Sequence, residues 1–124
     1  MIFEDSGVEG IHHLFEKIDP MMKKIGFYPA WDYHKVSYDY KLVDNGHAPD
    51  YYLRIPCKVV AGTVEHPGCE IVLETPVTFK HYYPHGMNFD ADVPQDLLKK
   101  AEQLLSEVKE KLSALPELET HNQH

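Results

Sequence analysis

Over residues 51–64 the chain sets Tyr51, Leu53, Ile55, Cys57, Val59 and Ala61 at every second position. Side chains of a β-strand alternate between two faces, so this spacing gathers one apolar face on a strand and scatters it on a helix. Residues 33–43 repeat the pattern, with Val36, Tyr38, Tyr40 and Leu42 on one face and Lys35, Ser37, Asp39 and Lys41 on the other. A third run places Cys69, Ile71, Leu73 and Thr75 together and turns Glu70 and Glu74 away from them. The connections are turn-forming: residues 44–50 contain Asn45-Gly46, and His66-Pro67-Gly68 precedes the third run. Three antiparallel strands in a meander follow. Pro56 has no N–H to give to a ladder, so it marks an edge position or a bulge in the second strand.

A different period appears near the end of the chain. Leu97, Leu98, Ala101, Leu104, Leu105, Val108, Leu112 and Leu115 recur at helical spacing, and Lys99, Lys100, Glu102, Glu107, Lys109, Glu110 and Lys111 fill the other side. Asp92 and Gln95 have capping-box spacing with Pro94 in the first turn, which predicts an amphipathic helix of about five turns ending before Pro116. Upstream, Asp19-Pro20 offers an N-cap and a first helical residue, and Gly26 a stop, for a helix of about two turns. Before it, Ile11, His13 and Phe15 alternate with His12, Leu14 and Glu16, as on a strand at a sheet edge. Residues 76–89 read as an aromatic, proline-containing segment.

These elements describe an α+β two-layer domain over residues 1–116. An antiparallel sheet of about four strands carries the long helix on its apolar face, beside the short N-terminal helix. Residues 117–124 lack an apolar period and read as a disordered tail. The opposite face of such a sheet is bare, and a second copy of the chain in a symmetric dimer is the natural cover.

Composition narrows the function. The 124 residues carry 20 acidic and 12 basic side chains, a net charge of -8, and a field of that sign repels phosphate backbones and anionic lipid headgroups. Neither nucleic acid nor a membrane surface is therefore expected as a partner. No apolar run reaches the ~20 residues of a membrane span, and the first twenty positions lack the pattern of a secretory signal. With Cys57 and Cys69 as the whole thiol complement, a cytoplasmic setting is expected. If Thr63 or a near neighbour faces Ile71, Cys57 falls beside Val77 and roughly 20 Å from Cys69, at ~3.3 Å per strand residue. A disulfide is then not expected.

The segment His81-Tyr82-Tyr83-Pro84-His85-Gly86, followed by Asn88, Asp90 and Asp92, is the candidate for chemistry. His81 and His85 would converge on a divalent metal such as Zn only in a helix or a tight loop, and Pro84 opposes the helix. In an extended chain their Cα atoms would stand about 13 Å apart. A metal centre would need Asp90, Asp92, His12 or His13 as further ligands. Tyr83 with His81 as an acid–base pair is a third reading. No serine sits in a Gly-x-Ser-x-Gly turn, and no glycine-rich loop precedes a helix. Glu70 and Glu74 read as a solvated sheet face. The aromatics say more: eight tyrosines and Trp31 cluster at Tyr28-Trp31-Tyr33, Tyr38-Tyr40, Tyr51-Tyr52 and Tyr82-Tyr83. Tyrosine joins a large apolar area to a hydroxyl and suits interfaces, ligand pockets and cross-strand pairs alike.

The string His-Tyr-Tyr-Pro-His-Gly-Met-Asn-Phe-Asp from His81 to Asp90, with Trp31-Asp32-Tyr33 and Tyr51-Tyr52-Leu53-Arg54, resembles the YugN-like family of small proteins from bacilli. The resemblance covers nearly the whole chain. It implies a bacterial cytosolic protein and brings no catalytic residue set with it. The expectation is a non-enzymatic binding or interaction domain, homodimeric, without a cofactor. Trp31, Tyr33, His81, Tyr82, Tyr83 and His85 would supply contacts to a second copy, another protein or a small molecule. The rival is a metal-binding protein or metal-dependent enzyme built on His81, His85 and Asp90.

Overall fold

The computed structural model describes residues 1–42, 50–82 and 86–118. The turn expected around Asn45-Gly46, together with Tyr83, Pro84, His85 and the tail beyond Leu118, lies outside the described residues. Seven strands and two helices follow in the order β1 (His12–Leu14), α1 (Phe15–Ile25), β2 (Tyr28–Trp31), β3 (Lys35–Lys41), β4 (Asp50–Ala61), β5 (Glu70–Leu73), β6 (Val77–Tyr82), β7 (Gly86–Asn88) and α2 (Gln95–Ser113). All strand pairs are antiparallel.

The long alternating strand β4 organises the sheet. On one side it pairs with β3 along its length, Lys35 facing Lys58 and Lys41 facing Tyr52. On the other side it is shared: β6 pairs with residues 50–54 and β5 with residues 57–61. Strands β2 and β1 extend the sheet beyond β3 and β5, and β7 beyond β6. Pro56 sits at the handover between β6 and β5, where its carbonyl accepts the Glu74 N–H at 2.8 Å and no ladder bond needs its missing donor. It therefore marks neither an outer edge nor a bulge; the register irregularity of β4 falls between Val59 and Ala61.

The inner face of the sheet holds the core. Val36 and Tyr38 of β3, Leu53, Ile55 and Cys57 of β4, and Ile71 and Leu73 of β5 are buried against Ile18 and Met22 of α1 and Ala101, Leu105 and Val108 of α2. Each large apolar side chain so buried contributes roughly 1.5–3 kcal/mol.

Several expectations need correction. The sheet has seven strands rather than about four. Strand β6 escaped because its pattern is inverted: Thr78 is buried inward, its N–H held by the Met1 carbonyl at 2.9 Å, while Phe79 takes the outward phase. Helix α1 starts at Phe15, so Asp19 is not its cap and Pro20 lies inside it. The proline is tolerated because Glu16, whose carbonyl loses a partner, is exposed to solvent. Asp19 instead accepts the Tyr38 hydroxyl at 2.8 Å and pairs with Lys23 at 2.8 Å. The Asp92–Gln95 capping box does not form; Pro94 is the N-cap of α2 and its carbonyl accepts the N–H groups of Leu97 and Leu98 at 3.0 Å. Cys57 faces Leu73, not Val77, which places it about four residues, or ~13 Å, from Cys69. Both thiols are free and buried.

Candidate functional site

The two described helices pack on one face of the sheet, and the register shows which described residues point to the other. In β3 and β4 the outward phase carries Asp39, Lys41, Asp50, Tyr52 and Arg54; in β2, β6 and β7 it carries Tyr28, Phe79, His81 and Met87. Phe89, just past β7, turns back onto this group.

The centre is closely packed. The Tyr52 and Phe79 rings stack with centroids 5.1 Å apart and planes 7° from parallel, and Phe89 packs on Phe79 at 5.1 Å. The Arg54 guanidinium lies 4.8 Å from the Phe79 centroid and 5.9 Å from that of Phe89. It is held there by Asp39, Nε to Oδ1 at 2.7 Å and Nη2 to Oδ2 at 2.9 Å. This pairing holds the Arg54 guanidinium charged even more firmly than usual, against the opposing effect of its partial burial. Around the centre the side chains are open: Tyr28 is 74% exposed, Met87 50% and Phe89 41%. At the β6 end His81 faces Asp50 across the ladder and lies 6.4 Å, ring to ring, from Tyr52. Asp50 is buried, with Oδ2 paired to Lys41 at 3.2 Å and Oδ1 without a hydrogen-bond partner among the described residues.

Among the described residues no three His, Cys, Asp or Glu side chains converge on a point that could hold a metal ion.

Comparison with known proteins fixes the family. The model of the YugN-like family matches residues 4–92, which include the 81–90 string and the strands that build this face. The chain belongs to the YugN-like family. It is 32% identical over 110 residues to the uncharacterised protein YlbA of Bacillus subtilis, spanning 86% of this chain and 90% of YlbA. It is 28% identical over 95 residues to the uncharacterised protein YugN of the same organism, spanning 74% of this chain and 69% of YugN. The crystal structure of the uncharacterised conserved protein YugN from Geobacillus kaustophilus has the same fold, with a TM-score of 0.80 at 34% identity over 93% of this chain and 96% of that one.

Within this YugN-like fold the residues singled out in the sequence occupy two separate places. His81 stands on the outer face, and Tyr82 ends β6 beside Lys80, whose ammonium lies 5.1 Å from its ring. Asp90 is exposed just past β7, its N–H bonded to Asn88 Oδ1 at 2.9 Å. Trp31 and Tyr33 lie elsewhere: Trp31 faces Val36, which faces Cys57, seven residues along β4 from the Asp50 that faces His81. His12 pairs with Glu70 at 2.8 Å, and His13 is buried under the end of α2; neither is near His81. Tyr83 and His85 lie outside the described residues. Arg54, Asp39 and Phe79, the centre of the belt, carried one visible signal: the aromatic Tyr52 sits between the charged Asp50 and Arg54 on the outward phase of β4.

No helix of the described residues is long and apolar enough to cross a membrane.

Proposed function

We propose that this chain is a non-enzymatic interaction domain that pairs with a second copy of itself through the sheet face opposite the helices. The observation that carries this is the belt of Tyr52, Phe79 and Phe89 locked around Arg54, flanked by exposed Tyr28 and Met87. Aromatic residues, methionine and arginine are the types enriched where proteins bind proteins, and rigid ones lose little entropy on docking.

Charge favours a second copy as the occupant. The chain as a whole carries -8. The described strand residues of this face set Lys35, Lys41, Arg54 and Lys58 against Asp39, Asp50 and Glu70, which is close to balance. Two such faces meet without the repulsion that opposes most other approaches.

Sedimentation velocity on the wild type and on a Tyr28→Asp, Met87→Asp variant tests the reading. Both positions are exposed, so the variant keeps its fold by circular dichroism. A dimeric wild type and a monomeric variant are expected. A monomeric wild type, or a variant that dimerises equally well, would sink it.

A further inference from the structure

Two turns face each other at the far end of β4. In the first, Asp32 Oδ1 accepts the N–H groups of His34 at 2.7 Å and Lys35 at 2.9 Å, and the Asp32 N–H donates to the Lys35 carbonyl at 3.0 Å. These bonds hold the Asp32 carboxyl below its ordinary range, first through His34 and then through Lys35. They also set Tyr33 at the tip of the turn, 77% exposed. In the second, the His66 N–H donates to the Thr63 carbonyl at 3.1 Å, and Thr63 Oγ1 bonds His66 Nδ1 at 2.7 Å, which sets Glu65 at that tip. Between them opens a cleft of about 280 Å³ lined by Trp31, Asp32, Tyr33, Thr63, Val64 and Glu65. Past Val64 and Glu65 it adjoins a second cleft of about 330 Å³, whose lining includes Phe15, Glu16 and Asp19. Trp31 packs edge-on against Phe15 at 6.0 Å and ties the two together.

Aromatic faces and carboxylates occur here together, and among the described residues no lysine or arginine lines either cleft. Asp19 is already paired with Lys23, and Glu16 accepts the Gly68 N–H. Glu65 has no hydrogen-bond or ion-pair partner among the described residues. An indole half open to solvent, a phenol at a fixed turn and an unengaged carboxylate suit a guanidinium, which stacks on rings through its face and bonds carboxylates through its edge. We propose that the paired clefts bind an extended basic peptide segment. One arginine side chain lies against Trp31 and Tyr33 and pairs with Glu65; a second basic residue reaches past Val64 towards Glu16. Two adjoining clefts with carboxylates in both fit a segment with two cationic side chains better than a single small ammonium ion.

Trp31 is the single tryptophan of the chain, so its fluorescence reports on this site alone. A blocked peptide with two arginines separated by glycine is titrated against the full chain, beside the same peptide with citrulline in place of arginine. Saturable quenching by the arginine peptide is expected, with affinity about tenfold lower for citrulline and falling with added salt. Glu65→Gln and Tyr33→Ala, both at exposed positions, should each weaken binding about fivefold. The proposal is overturned by an absence of saturable change, by equal binding of the citrulline peptide, or by unaltered affinity in both variants. Tetramethylammonium binding as tightly as the peptide would assign the clefts to a small cation instead.

Discussion

Arg54 and Asp39 face each other across the β3–β4 ladder and are joined by two hydrogen bonds, 2.7 and 2.9 Å long. The pair lies on the face opposite the helices, and each side chain is only about a quarter exposed, at 24% and 27%. Removing one partner should therefore cost more than removing an ordinary surface charge, because the other stays partly desolvated. We expect Asp39→Ala to lower unfolding free energy by about 1–2 kcal/mol in urea titrations. In the double variant with Arg54→Ala part of that loss should be recovered. Strictly additive losses would show that the two do not act as a unit.

His13 fastens the end of α2 to the first strand. The Leu14 N–H donates to His13 Nδ1 at 2.8 Å, so the proton sits on Nε2, which donates to the Pro116 carbonyl at 2.7 Å. Both nitrogens of a neutral ring are engaged. His13→Phe keeps a planar ring and loses both bonds, for an expected cost of about 1–3 kcal/mol. Amide exchange at Leu115, whose N–H bonds to Leu112, should accelerate in the variant while Val108 stays protected. Equal protection at Leu115 would show that the apolar contacts of α2 suffice to hold its end.

Strands β3, β4 and β5 and helix α2 were legible because each sorts apolar from polar side chains at its own period, and one face of each is buried. Where a segment breaks that sorting, the reading fails for a physical reason. Strand β2 is four residues long and contains Pro29, and β6 buries Thr78 while Phe79 points outward. The start of α1 was hidden because Pro20 imitates a first helical residue. The family was readable from the 81–90 string, but the centre of the belt was not. Asp39 and Arg54 look like solvated charges on separate strands until the register sets them opposite each other. Register is a long-range property, decided by which faces of β3 and β4 are buried together.

Gly26 ends α1 at a φ of +125°, and a Cβ placed there would stand 2.8 Å from Cε2 of Tyr40. Any other residue is strained twice, by its backbone and by the ring. The Tyr40 ring is itself fixed, edge-on to Phe27 at 5.4 Å with the Lys100 ammonium 5.5 Å from its centroid, so it has little room to move aside. Gly26→Ala should destabilise the protein by about 1–3 kcal/mol, read as a lower melting temperature. The same change at Gly10, which has positive φ but nothing within 4 Å of its Cβ position, should cost less. Equal effects at the two sites would remove the ring from the explanation.

Stability should fall at alkaline pH, and the groups responsible are in the core. Burial raises the Cys57 thiol far above its ordinary range, with Glu74 adding to the effect. Burial also raises the Tyr38 phenol, helped by its hydrogen bond to Asp19, and the Cys69 thiol. In the unfolded chain thiols ionise near ~8.5 and phenols near ~10. Below those values both states hold the same protons and stability is level. Above them the unfolded state loses protons that the folded state keeps, so the unfolding free energy drops by on the order of 1.4 kcal/mol per pH unit for each such group. Urea midpoints measured from pH 7 upward should therefore decline from about pH 8.5 in the wild type. Replacing both thiols, Cys57→Val with Cys69→Val, should move the onset towards about pH 10, where Tyr38 takes over. An onset that stays near pH 8.5 without the thiols would place the titrating group elsewhere.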